Sequence, residues 1–258
     1  MIITHNGTIL TNNGVVLNNI ITSPSFQNTY SLEFDGMDDY VKIGTQSLGI
    51  TGAISLSAWV KIPISGVWAA PYVQGIFVEN GTSGINWNLI FRPPPFFNYF
   101  GFTVYHTNGT STTLTSSGVT PNDGQWHHLL ATSDGTTNAN GVKLYFDGIL
   151  NVQATATSTG TKSTPTVIPT IGSTSNNSWF FEGNIDEVSI FDSAISIGDV
   201  WDGSGAATDL SLLATPPINW WRMGDGVTAF PTIPDVIGTN DGTAFNENEA
   251  TMVVPDVP

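Results

Sequence analysis

Apolar and polar residues alternate with a period of two along most of the chain, and the 3.6-residue period of an amphipathic helix is nearly absent. The clearest run is 54–62, in which Ile54, Leu56, Ala58, Val60 and Ile62 fall on one face. Successive side chains of a β-strand point to opposite faces, so this run predicts a strand with one buried face. We predict further strands at 30–34, 40–43, 75–78, 87–91, 100–105, 126–132, 142–146, 166–171 and 184–191.

Turn signals separate these strands. Asn-Gly or Asp-Gly pairs follow the apolar runs at Asn80, Asn108, Asp134, Asn140 and Asp147, and such pairs favour tight turns. We interpret 30–43 as a hairpin around residues 35–39. One short helix is predicted at 193–201, where a serine can cap the start and a glycine can end it. Many short strands at this spacing predict an all-β, antiparallel two-sheet sandwich of the jelly-roll type.

The amino-acid composition argues against two classes of protein, nucleic-acid-binding proteins and membrane-inserted proteins. The 258 residues contain 6 Lys+Arg against 21 Asp+Glu, a formal charge of −15, and no cysteine. Binding to phosphates needs clustered basic residues, so we expect no nucleic-acid partner. No apolar run approaches the ~18–20 residues of a membrane helix, so we expect no membrane insertion. The first residues lack a basic region followed by a long apolar one, and we therefore predict no signal peptide.

Four motifs occur in a recognisable order. They are Ser31-Leu32-Glu33-Phe34-Asp35-Gly36 with Asp38-Asp39-Tyr40-Val41, then 54–60, then Gly124-Gln125-Trp126-His127-His128 with 143–148, and finally 181–191 with Ile185-Asp186-Glu187-Val188. Together they resemble the laminin G-like domain of the concanavalin A-like lectin/glucanase superfamily, over roughly residues 29–200. This resemblance implies the two-sheet sandwich. It implies no single function, because the fold carries lectins, adhesion modules, glycosidases and structural spacers.

The resemblance also suggests a domain organisation. Residues 1–28 form an N-terminal arm or edge strand, and residues 29–202 form the sandwich. Residues 203–258 are a linker with a C-terminal strand and tail. Within this segment, Trp221-Arg222-Met223 and Asp235 resemble a sequence motif that usually lies at the start of such domains. Two alternatives remain open at this point. The domain is circularly permuted and this strand completes its own sandwich, or the strand completes a neighbouring copy.

A calcium site is the first candidate for chemistry. In laminin G-like domains a structural calcium often joins the first and last motifs, which implies Asp35 and Asp186 as ligands, with Asp38 and Asp39 as further candidates. Calcium takes six to eight hard oxygen ligands in flexible geometry. The alternative is that the aspartates of 35–39 only shape a turn, while Asp186 accepts backbone hydrogen bonds. Zinc is disfavoured, because there is no cysteine and two adjacent histidines on a strand point apart.

The glucanase branch suggests an enzyme as the least favoured alternative. Its retaining members need two carboxylates about 5–5.5 Å apart on one face. The segment most similar to this pattern is Glu182-Gly183-Asn184-Ile185-Asp186-Glu187. On a strand, Glu182 and Asp186 would lie on one face and Glu187 on the other. We therefore expect no catalytic residues and no glycoside hydrolase activity.

Two aromatic stretches are candidates for binding. Sugar rings stack on aromatic faces while their hydroxyls need directional partners, so Trp179 with Asn176 and Asn177, and also Trp87, are candidate carbohydrate-binding residues. Other aromatic residues are candidates for an interface between molecules, with a place in the core as the alternative. These interface candidates are Phe96, Phe97, Tyr99, Phe100, Trp220 and Trp221.

Two functions follow from these observations. The first is a non-enzymatic structural or decorating component of a virus particle or similar extracellular assembly, whose partners are other copies of itself or other virion proteins. The N-terminal arm and displaced C-terminal strand favour it, and the motifs resemble phage laminin G-like proteins. The alternative is a calcium-dependent carbohydrate-binding module that adheres to cell-surface glycans. Both place the protein on a virion or outside the cell.

Overall fold

A computed structural model describes residues 26–66, 73–79, 87–95, 97–157, 160–163, 166–174, 178–246 and 248–258, and the backbone of 3–5, 8–12 and 15–16. Almost all regular structure is β. The strands are β1 (Ile3–His5), β2 (Thr8–Asn12), β3 (Val15–Val16), β4 (Ser31–Asp35), β5 (Tyr40–Ile43), β6 (Ile54–Lys61), β7 (Gln74–Glu79), β8 (Trp87–Arg92), β9 (Tyr99–Tyr105), β10 (Ser111–Thr115), β11 (Trp126–Ser133), β12 (Val142–Phe146), β13 (Ile149–Gln153), β14 (Thr170–Ile171), β15 (Glu182–Phe191), β16 (Asn219–Trp221), β17 (Met223–Gly226), β18 (Thr232–Ile233), β19 (Gly242–Phe245) and β20 (Val253–Val254).

Two antiparallel sheets form the sandwich, which confirms the predicted fold class. Sheet I has the order β10-β9-β8-β7-β14-β5-β19-β18, and sheet II has the order β13-β12-β11-β6-β15-β4-β20 with β16 beside β15. A third sheet consists of β1, β2 and β3, which pair with one another.

The inner faces of the two sheets enclose one apolar core. On β6 the alternating residues Ile54, Leu56, Ala58 and Val60 are fully buried in this core. They meet aromatic side chains of sheet I, such as Phe77, in the same cluster. Burying each large apolar side chain contributes roughly 1.5–3 kcal/mol, so this period-two pattern drives the assembly of the sandwich.

The segment 30–43 is not a hairpin, and this prediction was wrong. β4 pairs with β15 and β20 in sheet II, whereas β5 pairs with β14 and β19 in sheet I. Residues 36–39 therefore cross from one sheet to the other. Sequence alternation alone cannot distinguish the two arrangements, because the inward residues of both strands reach the same core from opposite sides.

The C-terminal segment pairs with strands of its own chain. β16 pairs with β15, β19 with β5 and β20 with β4, all antiparallel. Of the two arrangements that the sequence left open, the structure has the one in which this segment completes its own sandwich. Asp256 fixes the tail, since it accepts hydrogen bonds from Lys61 Nζ at 2.6 Å and Trp126 Nε1 at 2.9 Å.

Residues 192–213 cover the outer face of sheet II. The predicted helix at 193–201 is only a 3₁₀ turn at Ile197–Asp199, and a second turn lies at Leu210–Leu212. Packing decides this outcome, because Val200 and Leu210 join a small apolar cluster against Leu130 and Phe191 of the sheet. Within the parts of the chain that the structure describes, no helix is both long and apolar enough to span a membrane.

Candidate functional site

The acidic turn (residues 35–39) joins the two sheets and gathers three carboxylates. Asp35, Asp38 and Asp39 each place one carboxylate oxygen within 4.8 Å of the others. Asp35 Oδ1 accepts from the N–H of Met37 at 2.7 Å, and Asp39 Oδ2 accepts from the N–H of Asp35 at 3.0 Å. Gly36 makes the turn possible: its φ is +76°, and a Cβ there would lie 2.9 Å from Glu182 Cβ.

This donor set fits a hard cation. Three carboxylates at such short separation repel one another unless a positive charge lies between them. Among the described residues, no ion pair joins Asp35 or Asp38 to a basic side chain. Oxygen-only ligands in an irregular turn are the kind that calcium prefers. The turn hydrogen bonds occupy only part of the available lone pairs, so turn formation and cation binding are compatible.

Asp186 is not part of the acidic turn, contrary to the predicted pairing with Asp35. On β15 it is Glu182 that lies opposite Asp35, and Asp186 lies opposite Trp59 of β6. Four residues of strand separate the two positions, about 13 Å at ~3.3 Å per residue. Asp186 is fully buried and accepts hydrogen bonds from Asn28 Nδ2 and from the N–H of Glu187, both at 2.8 Å.

Asp186 instead belongs to a buried acidic cluster with Glu187 and Asp225. The Arg222 guanidinium lies at its centre: Nε donates to Glu187 Oε1 at 3.0 Å, and one NH2 group lies 3.4 Å from Asp225 Oδ2. Trp220 Nε1 donates to Glu187 Oε2 at 2.5 Å. Glu187 has a φ of +49° beside an irregularity in the β15–β6 register, which turns it away from regular pleating.

Burial controls the ionisation of this cluster. It raises the pKa of Glu187 to about 7, although the Arg222 charge opposes the shift. It also raises the pKa of Asp186 well above its ordinary value, and the neighbouring Glu187 charge adds to this. Asp186 and Glu187 are 0% and 4% exposed, so neither can reach a substrate in solution. The cluster joins residues 26–30, β15 and the C-terminal segment, which is a structural role.

An aromatic platform lies beside the acidic turn. Tyr40, which follows Asp39 directly, stacks on Phe245 with a 4.8 Å centroid distance and a 5° interplanar angle. Phe180 lies 6.3 Å from Tyr40, and Trp179 precedes it in the chain. Trp179 and Phe245 are 43% and 37% exposed. We use the term aromatic platform for Tyr40, Trp179, Phe180 and Phe245.

Backbone contacts hold this platform in place. Trp179 has a φ of +60°, and its carbonyl accepts from the N–H of Gly75 on β7 at 3.1 Å. The side chain of Asn246 donates to the carbonyl of Asp38, which ties the end of β19 to the acidic turn. The left-handed backbone of a large residue is unfavourable. At Trp179 the bond to Gly75 holds the backbone in this conformation, and the side chain is 43% exposed.

Several aromatic predictions were wrong. Trp87 is fully buried and stacks on Phe77 at 4.9 Å, so it offers no face to a sugar. Phe100 and Trp221 are also fully buried, and Trp220 is 3% exposed, so none of them can form an interface between molecules. Each lies on a strand whose neighbours cover it, which the sequence does not reveal.

The other aromatic and amide candidates have separate outcomes. Phe97 is 40% exposed and packs edge-on against Tyr99 at 5.6 Å, with Arg92 Cζ 5.3 Å from its centroid. These two residues stay candidates for an interface. Phe96, Asn176 and Asn177 lie outside the described residues.

Three residues of the aromatic platform, Tyr40, Phe180 and Phe245, were not predicted from the sequence. The position of Arg222 in the buried acidic cluster was not predicted either. Tyr40 and Phe245 lie on strands far apart in the chain, and only the β5–β19 register places them opposite each other. A signal for Arg222 did exist, because only six basic residues occur in the chain and a lone arginine between tryptophan and methionine on a predicted strand is unusual.

Two antiparallel sheets of this topology around one apolar core define a lectin-like sandwich. The chain belongs to the concanavalin A-like lectin/glucanases superfamily, whose laminin G-type family model matches residues 35–200. A comparison with curated protein sequences finds no match.

A solved structure shows the same fold at low sequence identity. A protein of proposed carbohydrate-binding function from Bacteroides ovatus is 14% identical with a TM-score of 0.63, and the match covers 90% of this chain and 60% of that one. This chain therefore spans less than two thirds of that protein. A heptameric SAP-like pentraxin from Limulus polyphemus is 11% identical with a TM-score of 0.49, covering 66% of this chain and 79% of the other.

Proposed function

We propose that this protein is a non-enzymatic carbohydrate-binding module, and that its binding site is the aromatic platform with the adjoining acidic turn. The observation that supports this most is the exposure of Trp179 and Phe245, together with the stacking of Phe245 on Tyr40 next to the clustered carboxylates of the acidic turn. Aromatic faces stack on the C–H faces of a sugar, and carboxylates accept hydrogen bonds from its hydroxyls. The similarity in fold to a protein of proposed carbohydrate-binding function is consistent with this reading.

The non-enzymatic part of the proposal rests on the carboxylates. Asp186 and Glu187, which lie on the strand that resembles the glucanase pattern, are buried and held by Arg222 and Asn28. A retaining glycosidase needs two carboxyl groups that flank an open cleft. The buried acidic cluster does not meet this requirement.

Replacement of Trp179 by alanine should weaken glycan binding about tenfold, which corresponds to the ~1.4 kcal/mol expected for one stacked aromatic ring. Binding is measured on a glycan array and then by calorimetry with the strongest ligand. The melting temperature should change little, because 43% of Trp179 is exposed. Phe97→Ala is the matched control, since Phe97 is 40% exposed and lies outside the platform. Equal losses in both variants, or no glycan bound by the unaltered protein, would refute the proposal.

We further propose that the acidic turn binds calcium through Asp35, Asp38 and Asp39. When bound, the ion would offset two of the three negative charges and offer remaining coordination positions to sugar hydroxyls. Calcium should raise the melting temperature of the unaltered protein by a few degrees relative to chelator, because it binds only the folded turn. Asp38→Asn should remove this increase, whereas Asp202→Asn, at an exposed position elsewhere, should keep it. An identical melting temperature with calcium and with chelator would contradict the metal site.

A structural role in a virus particle or similar extracellular assembly is the second proposed function. It is supported by the N-terminal strands β1–β3, which, in the part of the chain that the structure describes, pair with one another and not with either large sheet. Such an arm is not needed for a binding module of a single chain. Glycan binding and assembly are compatible, because they use different parts of the molecule.

A further inference from the structure

Both large sheets end at the same side of the sandwich. β10 is the last strand of sheet I and β13 is the last strand of sheet II. Among the described residues, β10 pairs only with β9 and β13 only with β12. Between them lies a groove of about 550 Å³ lined by residues 110–115 and 152–157. Beside the groove, the Asn151 side chain connects the two sheets. Its Oδ1 accepts a hydrogen bond from the N–H of Ser117 at 2.9 Å, and its Nδ2 donates to the carbonyl of Ser117 at 3.0 Å.

The backbone of both edge strands points hydrogen-bonding groups into this groove. The N–H of His106 donates to Thr110 and that of Ser116 donates to Phe100, so the even-numbered residues of β10 face β9. Successive residues of an antiparallel strand alternate between the two sides. The N–H and C=O groups of Ser111, Thr113 and Thr115 therefore face the groove. On the other edge, the N–H of Ala154 donates to the carbonyl of Val142. The backbone N–H and C=O of the preceding residue, Gln153, therefore point away from β12.

The groove is uncharged on a strongly acidic molecule. No Asp, Glu, Lys or Arg lines it, and the sequence has none between Arg92 and Asp123. Sheet edges are usually protected by lysine, proline or a covering element. Ile149 and Leu150, at the start of β13, are 73% and 42% exposed. Two copies that each carry a formal charge of −15 repel over most of their surface, and an uncharged face is where they can approach.

The N-terminal residues match this groove. Residues 1–25 contain no Asp, Glu, Lys or Arg and include strands β1, β2 and β3. Among the described residues of one chain, these strands pair with one another and not with β10 or β13. We propose that the groove between β10 and β13 binds an extended strand from residues 1–25 of a second copy of this chain. Strand addition satisfies the N–H and C=O groups of Ser111, Thr113 and Thr115 on the edge of β10, and head-to-tail donation builds rings or open filaments.

The test is sedimentation velocity of the full chain over a wide range of protein and salt concentrations. We expect the unaltered protein to self-associate, and more tightly as salt screens the repulsion between copies. Thr113→Lys places a charge on the exposed edge and should weaken association about tenfold or more. Thr243→Lys is the matched control, because Thr243 is also exposed but lies on β19, which has a strand on each side. Gln153→Lys repeats the test on the opposite edge if the first variant folds poorly.

Deletion of residues 1–25 identifies the occupant. If the arm of a second copy fills the groove, the deletion should abolish association to the same extent as Thr113→Lys. Association that survives the deletion but not Thr113→Lys would mean that edges pair directly with edges, and would overturn the proposal. A protein that stays monomeric under all conditions, or equal effects of Thr113→Lys and Thr243→Lys, would also overturn it. Glycan binding should be unchanged in Thr113→Lys, so failure here is distinct from failure of the proposed function.

Discussion

Replacement of Arg222 by alanine is expected to lower the free energy of unfolding by about 3–5 kcal/mol near pH 8, the usual cost of removing one partner from a buried ion pair. Arg222 is the only basic side chain that contacts the buried acidic cluster among the described residues. It also donates to the carbonyl of Gln27 at 2.6 Å and lies 4.4 Å from the Phe26 ring centroid. Its loss leaves Glu187 buried without a counter-charge.

The loss should be smaller near pH 5, and this pH dependence is the specific signature. The pKa of Glu187 is raised from 4.5 to about 7 in the folded protein. A carboxyl whose folded pKa is raised contributes stability that is complete below its unfolded pKa and is lost as pH rises through the folded pKa. The unaltered protein should therefore lose stability between about pH 4.5 and 7. Without Arg222 the pKa of Glu187 rises further, so the loss of stability continues to higher pH and becomes larger in total.

Chemical denaturation at several pH values measures both effects. Arg92→Ala is the matched control, because Arg92 is half-buried on an outer face and its described contact is with Phe97. We expect a loss of about 1 kcal/mol or less for the control, with no added pH dependence. If the Arg222 variant has the same stability deficit at every pH, the buried charge is not the cause.

Replacement of Trp221 by alanine is the second large effect, with an expected loss of about 3–5 kcal/mol. Trp221 is fully buried on β16, its ring lies 6.0 Å from Phe77 of sheet I, and its Nε1 donates to the carbonyl of Asn240 at 2.8 Å. The substitution leaves a cavity between the sheets and an unpaired carbonyl. Thermal and denaturant unfolding measure this loss.

Trp179→Ala is the matched control for Trp221→Ala. The two variants delete the same side chain, one from the surface and one from the core. We expect the Trp179 variant to lose glycan binding and keep its stability, and the Trp221 variant to show a lower melting temperature. A stable Trp221 variant would mean that the Trp221 ring is not packed between the two sheets.

The acidic turn shows why part of the site was predictable. Asp35, Asp38 and Asp39 are close in sequence, and Gly36 allows the tight bend, so local chemistry brings the carboxylates together. Asp186 was assigned to the same site on the basis of resemblance alone. The register of β15 against β4 and β6 places it elsewhere, and register depends on contacts between residues more than a hundred positions apart.

The aromatic residues show the opposite case. Trp87 and Trp179 were both predicted to bind sugar, yet one is fully buried and the other is 43% exposed. A tryptophan on a strand is covered or open according to which element packs against that face. Local pattern does not contain this information, because both faces of a central strand of a sandwich can be buried.

The period-two alternation, the turn pairs and the scarcity of helix signals determined the two-sheet sandwich, because they reflect backbone geometry and burial that act over a few residues. The same sequence located the carboxylates of residues 35–39. Tertiary structure decided that this turn crosses between the sheets, that Arg222 pairs with the buried Glu187, and that Tyr40 and Phe245 stack beside the turn. These features require strands from distant parts of the chain to pair in one register, and that register is set by the packing of the whole core.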